Sequence, residues 1–225
     1  MSEANQRQTT LAILGGTGKE GAGLAMRWAQ SGYRVIIGSR SLEKAVGRSA
    51  EMNAEMGRDL LRGMSNAAAA VAADVIVLSV PYSAHKPTLQ GLGEVCRGKV
   101  VIDLTVPLQP PEVMAVNLPA GGAAALEAQA ILGDEAAVAA AFQNVSAVKL
   151  KQLDRPVDCD VLVCADDPQA KAAAIELAEA AGMRGIDAGA LKNAVAVESL
   201  TPILLHINKR YKVKGAGIRI TGLDT

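Results

Sequence analysis

The chain has 225 residues, half of them apolar, and 23 basic and 23 acidic residues leave no formal net charge, a composition that suits one domain with at most a small appendage. The balanced charge excludes a general nucleic-acid binder, which needs a basic face, and the apolar content excludes a disordered chain. A polar start, the absence of an 18-residue apolar run and an odd count of three cysteines predict an unexported, cytoplasmic protein with reduced thiols and no membrane part.

Two strand-helix units open the chain. The residues TLAILGG, from Thr10, form a short apolar run that ends in glycines, and the residues after them place apolar side chains at helical spacing up to Gly32. A β-branched run, YRVIIGSR, then leads into a second helical segment that Ser41 can cap. These signals predict a strand, a turn and a helix, followed by a second strand and helix.

The segments DVIVLSVP (74–81) and KVVIDLTVP (99–107) repeat the strand signal. Each is continuous and rich in Val and Ile, which is typical of strands buried on both faces. We therefore predict an α/β protein of the Rossmann-like, doubly wound class, with a mainly parallel sheet and right-handed crossovers.

The second half mixes loop, helix and strand signals. Prolines and glycines between residues 108 and 126 indicate an irregular loop, and an Ala-rich helical stretch is expected to reach about Phe142. Residues 145–150 and 160–167 look extended, Pro168 marks the start of another helix, and GIDAG indicates a short strand.

The C-terminal segment predicts a small unit of its own. From about residue 190 a long helix, kinked or restarted at Thr201-Pro202, precedes a short tail strand. We expect residues 1–189 to form the main Rossmann-like domain and residues 190–225 a small helical domain.

A glycine turn follows the first strand and satisfies the pattern G-x-G-x-x-G at the start of a helix. Without Cβ atoms the backbone N–H groups can approach a pyrophosphate, whose negative charge the helix N-terminus stabilises. The residues predicted to build this site are Gly16, Thr17, Gly18, Lys19, Glu20 and Gly21. The alternative interpretation is a glycine-rich connection that binds nothing.

The residues after the second strand indicate which dinucleotide would bind. An acidic residue there would accept hydrogen bonds from a ribose 2′-hydroxyl, but this chain has Ser39 and Arg40, with Lys44 one helical turn further. Arg40 can make bidentate contact with a 2′-phosphate, so the pattern predicts NADP. Alternatively, Arg40 and Lys44 are solvated charges at the start of a helix.

The sequence offers little acid–base or metal chemistry. His85 is expected in a loop without a carboxylate partner, His206 on a helix face, and Asp166-Asp167 at a helix N-cap. No nucleophile or zinc motif is present, so we predict neither an obligatory catalytic residue nor a metal site. An enzyme that moves hydride between two cofactor rings needs positioning more than such groups.

Several separated segments carry a family resemblance. They are LGGTGKEGAGLAMRWAQSGYRVIIGSR at 14–40 with SLEKA after it, VPYSAH, AFQNVSA at 141–147, CDVLVCADD at 159–167, DAG at 187–189 and ESLTPILL at 198–205. In this order they resemble the NADPH-dependent reductases of the deazaflavin coenzyme F420, also called F420:NADP oxidoreductases. The resemblance implies reversible hydride transfer between the nicotinamide C4 of NADP and the C5 of the deazaflavin, in a homodimer.

The same resemblance implies positions for both cofactors. Besides the NADP contacts already predicted, the residues that match positions lining the nicotinamide and the deazaflavin are Val80, Ala147, Ala84, Val106 and Ala216. The small C-terminal domain is expected to close the cleft between them. The chain departs from the family at Gln143, where histidine is common, because glutamine can hydrogen-bond a ring carbonyl but cannot carry a proton charge.

Two further hypotheses remain open at this level. The departures at Gln143 and Ala216 favour an NADPH-dependent reductase of FMN or FAD on the same scaffold. A redox sensor that binds NADP and signals to a protein partner without turnover is the third interpretation.

Overall fold

The computed structural model of the protein describes residues 9–223, and most of the polar start, residues 1–8, lies outside them. These residues form an eight-stranded sheet in the order β3-β2-β1-β4-β5-β6-β7-β8. Its strands are β1 Thr10–Leu14, β2 Arg34–Ser39, β3 Leu61–Ser65, β4 Val75–Leu78, β5 Val100–Asp103, β6 Ala137–Ala140, β7 Asp160–Ala165 and β8 Arg184–Asp187. All neighbouring pairs are parallel except β6 and β7, which are antiparallel. The predicted Rossmann-like, mainly parallel fold is therefore confirmed.

Helices cover both faces of the sheet. They are α1 Lys19–Gln30, α2 Leu42–Met56, α3 Asn66–Ala72, α4 Tyr82–Gln90, α5 Ala124–Leu132, α6 Ala147–Leu150, α7 Pro168–Ala180 and α8 Ala194–Arg210. One buried cluster joins α1, α2 and α7 to one face, where Trp28 meets Phe142 edge to face at 5.6 Å. The other joins α3, α4, α5 and α8 to the opposite face. Strands with both faces covered explain the continuous Val and Ile runs.

The predicted helix boundaries have clear local causes. The Ser41 hydroxyl accepts a hydrogen bond from the N–H of Lys44 and so caps α2. The Asp167 carboxylate caps α7 by accepting from the N–H of Ala170, with Pro168 at the first helical position. Gly182 follows α7 with φ +79°, a left-handed conformation that glycine adopts without strain.

Three predictions in the second half of the chain are wrong. The Ala-rich helix ends at Leu132, because Gly133 turns the chain at φ +75°, and the four residues Ala137–Ala140 form β6 in the sheet. Their small side chains fit between the two helical layers, so packing overrides helix propensity. Residues 147–150 form the short helix α6. In the tail up to residue 223 no residue pairs in the sheet, although a strand was expected there. Helix α8 continues without restart through Pro202.

The strand pattern does not indicate β3, whose residues LRGMS are neither alternating nor β-branched. Its position depends on Gly63, where a Cβ atom would lie 2.4 Å from the backbone carbon of Ala45 in α2. This close approach of strand to helix fixes α2, and with it Lys44, beside the end of β2.

Gly63→Ala should therefore force β3 and α2 apart. Because overpacking a close backbone contact costs about 2–3 kcal/mol, we expect a loss of that size in the free energy of unfolding, measured by urea denaturation. Gly47→Ala is the matched control, since no atom lies within 4 Å of its added Cβ, and it should raise stability by up to about 1 kcal/mol. Similar losses from both substitutions would contradict this packing argument.

Candidate functional site

The glycine turn after β1 passes between the ends of two neighbouring strands. The N–H of Gly15 donates to the carbonyl of Gly38 at the end of β2. Gly15 has φ +77°, and a Cβ atom there would lie 2.3 Å from the carbonyl oxygen of Ser79, directly after β4. A Cβ on Gly21 would likewise lie 3.0 Å from the Cα of Gly16. Glycine is required because backbone meets backbone at this point.

The turn leaves the N-terminus of α1 open to a ligand. Gly18 is the N-cap residue, and no side chain bonds to the free N–H groups of the first helical turn. Lys19 is exposed there, and burial raises the pKa of the neighbouring Glu20 carboxyl to about 8. The raised pKa lowers the fraction of Glu20 that is ionised at neutral pH and so reduces its repulsion of an anion. The helix terminus can accept a phosphate in the way that the sequence pattern predicts.

A cleft of about 320 Å³ lies beside this turn. The sequence-predicted residues that line it are Thr17, Gly18, Ser39, Arg40, Lys44, Val80 and Ala84. Sequence reasoning missed further lining residues, namely Gly15, Ser41, Asn66, Ser79, Pro81 and Thr88. The other four predicted turn residues do not line the cleft: Gly16 and Gly21 are buried, Glu20 is half-buried and Lys19 is exposed. The carboxyl ends of β1, β2 and β4 thus bring most of the predicted NADP contacts together.

The cationic end of the cleft is organised by two serine hydroxyls. The Ser39 hydroxyl accepts from the N–H of Ser41 at 3.2 Å, and the Ser41 hydroxyl caps α2. Arg40 and Lys44 are exposed, and neither forms an ion pair with another described residue. Their charges are available to an anion.

The predicted residues of the second half lie elsewhere along the same sheet edge. Val106 follows β5, Ala147 begins α6, and none of Val106, Ala147 and Ala216 lines the 320 Å³ cleft. The tail reaches α6 at Gly215, where a Cβ atom would lie 2.7 Å from the Ser146 hydroxyl. Ala147 and Ala216 therefore lie near each other, because the residues before them, Ser146 and Gly215, are in contact. Val106 lies on the separate loop that follows β5.

A buried ion pair that sequence reasoning missed lies at the same edge. The expectation of a loop histidine without a carboxylate partner is wrong, because His85 is inside α4 and its Nε2 lies 2.7 Å from an Asp103 carboxylate oxygen. The other Asp103 oxygen accepts from the N–H of Thr105. The Gln143 amide donates to the Asp103 backbone carbonyl, and the Thr201 hydroxyl donates to the carbonyl of Gln143.

A second buried carboxylate extends this network. Glu198 in α8 accepts from the N–H groups of Ala124 and Ala125 at 2.7 and 3.0 Å, which ties α8 to the start of α5. Tyr82 stacks on the His85 ring and donates to Glu127. Helices α4, α5 and α8 and strand β5 therefore meet in one polar cluster, with Asp103 at its centre.

Two groups of the cluster, His85 and Glu198, have raised pKa values. Burial alone would lower the pKa of His85, but its hydrogen bond to Asp103 and the nearby charges of Asp103, Glu127 and Glu198 raise it overall. Burial raises the pKa of Glu198 to about 7 despite the two backbone hydrogen bonds. Both groups bind protons more tightly in the folded state than in the unfolded state, so both make stability fall as the pH rises.

Several atoms of the cluster remain available for further hydrogen bonds. Within residues 9–223, the buried side-chain atoms without a partner are Asn66 Oδ1, His85 Nδ1, Thr105 Oγ1, Gln143 Oε1 and Asn144 Oδ1. All but the first belong to residues of the His85–Asp103 network or to its immediate neighbour. Such groups normally bond to ordered water or a ligand.

Comparison with known proteins identifies the family of the chain. Residues 10–107, which include the glycine turn and the cationic cleft, match the family model of coenzyme F420-dependent NADP oxidoreductases. An F420-dependent NADP reductase of Methanothermobacter thermautotrophicus is 44% identical over 220 residues, which cover 95% of this chain and 95% of that protein. The chain belongs to the F420-dependent NADP reductase family.

Further relatives of this reductase family agree. The F420-dependent NADP reductase of Methanocaldococcus jannaschii is 41% identical over 230 residues, covering 95% of this chain and 99% of the relative. A crystal structure of a candidate F420-dependent NADP reductase from Arthrobacter sp. FB24 matches with a TM-score of 0.82 over 95% of this chain and 99% of that one. At 23% identity this structure supports the fold alone. In the described part of the chain no helix is long and apolar enough to cross a membrane.

His85→Gln tests the charge of the buried pair. At pH 6 we expect unfolding to become easier by about 3 kcal/mol, because the Asp103 carboxylate stays buried without a cation. The folded pKa of His85 lies above its ordinary value of 6.5, so the stabilisation is complete below pH 6.5 and is lost as the pH rises through the folded pKa. The effect in urea titrations should therefore be smaller at pH 9.

His206→Gln is the matched control, since His206 is the other histidine of the chain and is exposed on α8. It should change stability by less than about 0.5 kcal/mol at both pH values. A loss of equal size at pH 6 and pH 9 in His85→Gln would show that the shape of the ring, and not its charge, stabilises the fold.

Proposed function

We propose that the protein transfers hydride reversibly between NADP(H) and the deazaflavin coenzyme F420. The observation that carries this proposal is the cleft in which a glycine turn and a cationic pair, Arg40 and Lys44, meet at the ends of adjacent strands. Its chemistry fits a phosphorylated dinucleotide, and relatives at 41–44% identity over 95% of the chain are F420-dependent NADP reductases.

Each part of the cleft has a role in NADP binding. The N–H groups from Thr17 to Glu20 face the pyrophosphate at the open end of α1. Arg40 and Lys44 neutralise the 2′-phosphate, and the Ser39 hydroxyl, held by the N–H of Ser41, lies beside them. Val80 and Ala84 line the cleft further along, where they contact the part of the dinucleotide that extends towards the middle of the sheet edge.

The deazaflavin occupies the other side of that edge. Val106, Ala147 and Ala216 supply small apolar contacts there, and the segment 190–225 acts as a small domain that closes the cleft. The Gln143 carboxamide donates to the backbone carbonyl of Asp103, and its buried Oε1 atom has no hydrogen-bond partner within residues 9–223. Held in this orientation, Gln143 offers an acceptor where a histidine would offer a charge.

The chain contributes position and exclusion of water to the reaction. NADPH supplies a hydride from its nicotinamide C4, and the deazaflavin receives it at C5. The residues of the cleft would hold the two rings close to each other, and the transfer would require no covalent bond between a side chain and either ring. We further propose that the protein works as a cytoplasmic homodimer, as the family resemblance implies.

Arg40→Ala should raise the Michaelis constant for NADPH roughly 10- to 100-fold, because a charge-assisted contact to the 2′-phosphate contributes about 1.5–3 kcal/mol. The constants for NADH and for the deazaflavin should change little. Steady-state kinetics measure all three constants. Arg62→Ala, an exposed arginine in β3 that does not line the cleft, is the control. Equal increases for NADPH and the deazaflavin would contradict the role of Arg40.

Anaerobic mixing with NADPH and, separately, coenzyme F420, FMN and FAD tests the reaction itself. We expect rapid loss of the deazaflavin absorbance and slow or no loss with the flavins. Bleaching of the flavins alone would preserve the NADP site but make the protein a flavin reductase, the hypothesis that Gln143 favours. Absence of turnover with every acceptor would favour the redox sensor.

A further inference from the structure

Asn66 is a polar side chain of the cleft that the fold does not use. It is the first residue of α3, but the helix is capped by Ser65, whose hydroxyl accepts from the N–H of Ala68. The carbonyl oxygen of the Asn66 side chain is buried and has no hydrogen-bond partner among residues 9–223. This oxygen lies close to Gly38, where an added Cβ would come within 2.9 Å of it. A buried amide oxygen without a partner is costly, so a bound group is expected to satisfy it.

The position of Asn66 restricts what that group can be. It lies where the 320 Å³ cleft meets a second cavity of about 370 Å³. The residues that line both are Arg40, Asn66, Pro81, Ala84 and Thr88. A ligand part next to Asn66 is therefore also next to Arg40, the residue assigned to the 2′-phosphate.

The adenine of NADP is attached to the ribose that carries the 2′-phosphate. With this phosphate on Arg40, the base must lie within a few ångströms of the same residue, and the second cavity provides the space. Its walls include Ala84, Pro87 and Leu92, which suit the apolar faces of a purine. Thr88 is less suited to the polar edge, because its hydroxyl already donates to the carbonyl of Ala84 at 2.7 Å.

We propose that Asn66 recognises the polar edge of adenine, its carboxamide turning from Gly38 towards the cavity so that Oδ1 accepts a hydrogen bond from the 6-amino group. A carboxamide offers an acceptor and a donor side by side, the pattern that matches the amino group and a ring nitrogen of adenine. Asn66 would then select 6-aminopurine dinucleotides, a specificity separate from the selection of NADP over NAD by Arg40. The proposal rests on the proposed NADP site.

The test compares two ligands that differ only at the base. One is adenosine 2′,5′-bisphosphate and the other is its purine analogue with hydrogen in place of the 6-amino group. Calorimetric titration of the intact protein should show roughly tenfold weaker binding of the analogue, the effect of one buried acceptor left unpaired. Asn66→Ala should bind both ligands equally, because it has no acceptor to lose.

Two further variants make the result interpretable. Asn66→Asp keeps an acceptor oxygen and should keep the preference for the amino group, although its charge beside the phosphates weakens binding of both ligands. Asn193→Ala removes an exposed carboxamide that lines neither cavity and should behave as the unmodified protein. Thermal melting checks that each variant is folded.

The possible failures are distinguishable. A preference for the amino group that survives in Asn66→Ala would overturn the proposal, as would an equal loss of affinity for both ligands, which would place Asn66 against the ribose or a phosphate. Failure of the unmodified protein to bind either ligand would instead overturn the NADP site itself. Binding of both ligands with equal affinity by the unmodified protein would retain that site and reject recognition by Asn66.

Discussion

The candidate site depends on one close approach of backbone to backbone at Gly15. The N–H of this residue bonds to the end of β2 while its Cα packs against the carbonyl that follows β4. A side chain at this position would separate three strands whose carboxyl ends form the cleft. The space for a pyrophosphate, the approach of Arg40 and the packing of α1 on the sheet all follow from the absence of a single Cβ atom.

In the second half of the chain, buried Asp103 connects the segments that surround the sheet edge. Through side chain and backbone it binds His85 of α4, Thr105 and Gln143, and Gln143 in turn holds Thr201 of α8. Helix α4, which contributes Ala84 and Thr88 to the wall of the 320 Å³ cleft, and the C-terminal helix α8 are therefore connected by hydrogen bonds between residues 18 to 58 positions apart in sequence. The same network orients the side-chain amide of Gln143.

The sequence predicts the fold of the first half of the chain well because its signals are local. Gly18, Ser41 and Arg40 lie within one strand-helix-strand unit, so spacing alone places them together. The second half is predicted less well, because its structure depends on the packing of small side chains and on contacts between residues far apart in sequence. Ala137–Ala140 have helix propensity but fill a narrow gap in the sheet, and the Asp103 partner of His85 looks like the end of an ordinary buried strand. The position of Asn66 in the cleft could not be predicted, because it follows β3 and the residues of β3 have no strand pattern.

The reversal of β7 relative to β6 has a consequence for how the protein is made. Because β7 runs backwards, its first residue, Asp160, lies at the cofactor edge, where its N–H binds the carbonyl of Ile218 in the tail. The part of the sheet edge that is proposed for the deazaflavin is thus completed by contacts of high sequence separation, whereas the turn and cationic cleft are built from the first hundred residues. During synthesis the first hundred residues leave the ribosome first, so the contacts of the tail with β7 can form only after the segments that build the cleft have been made.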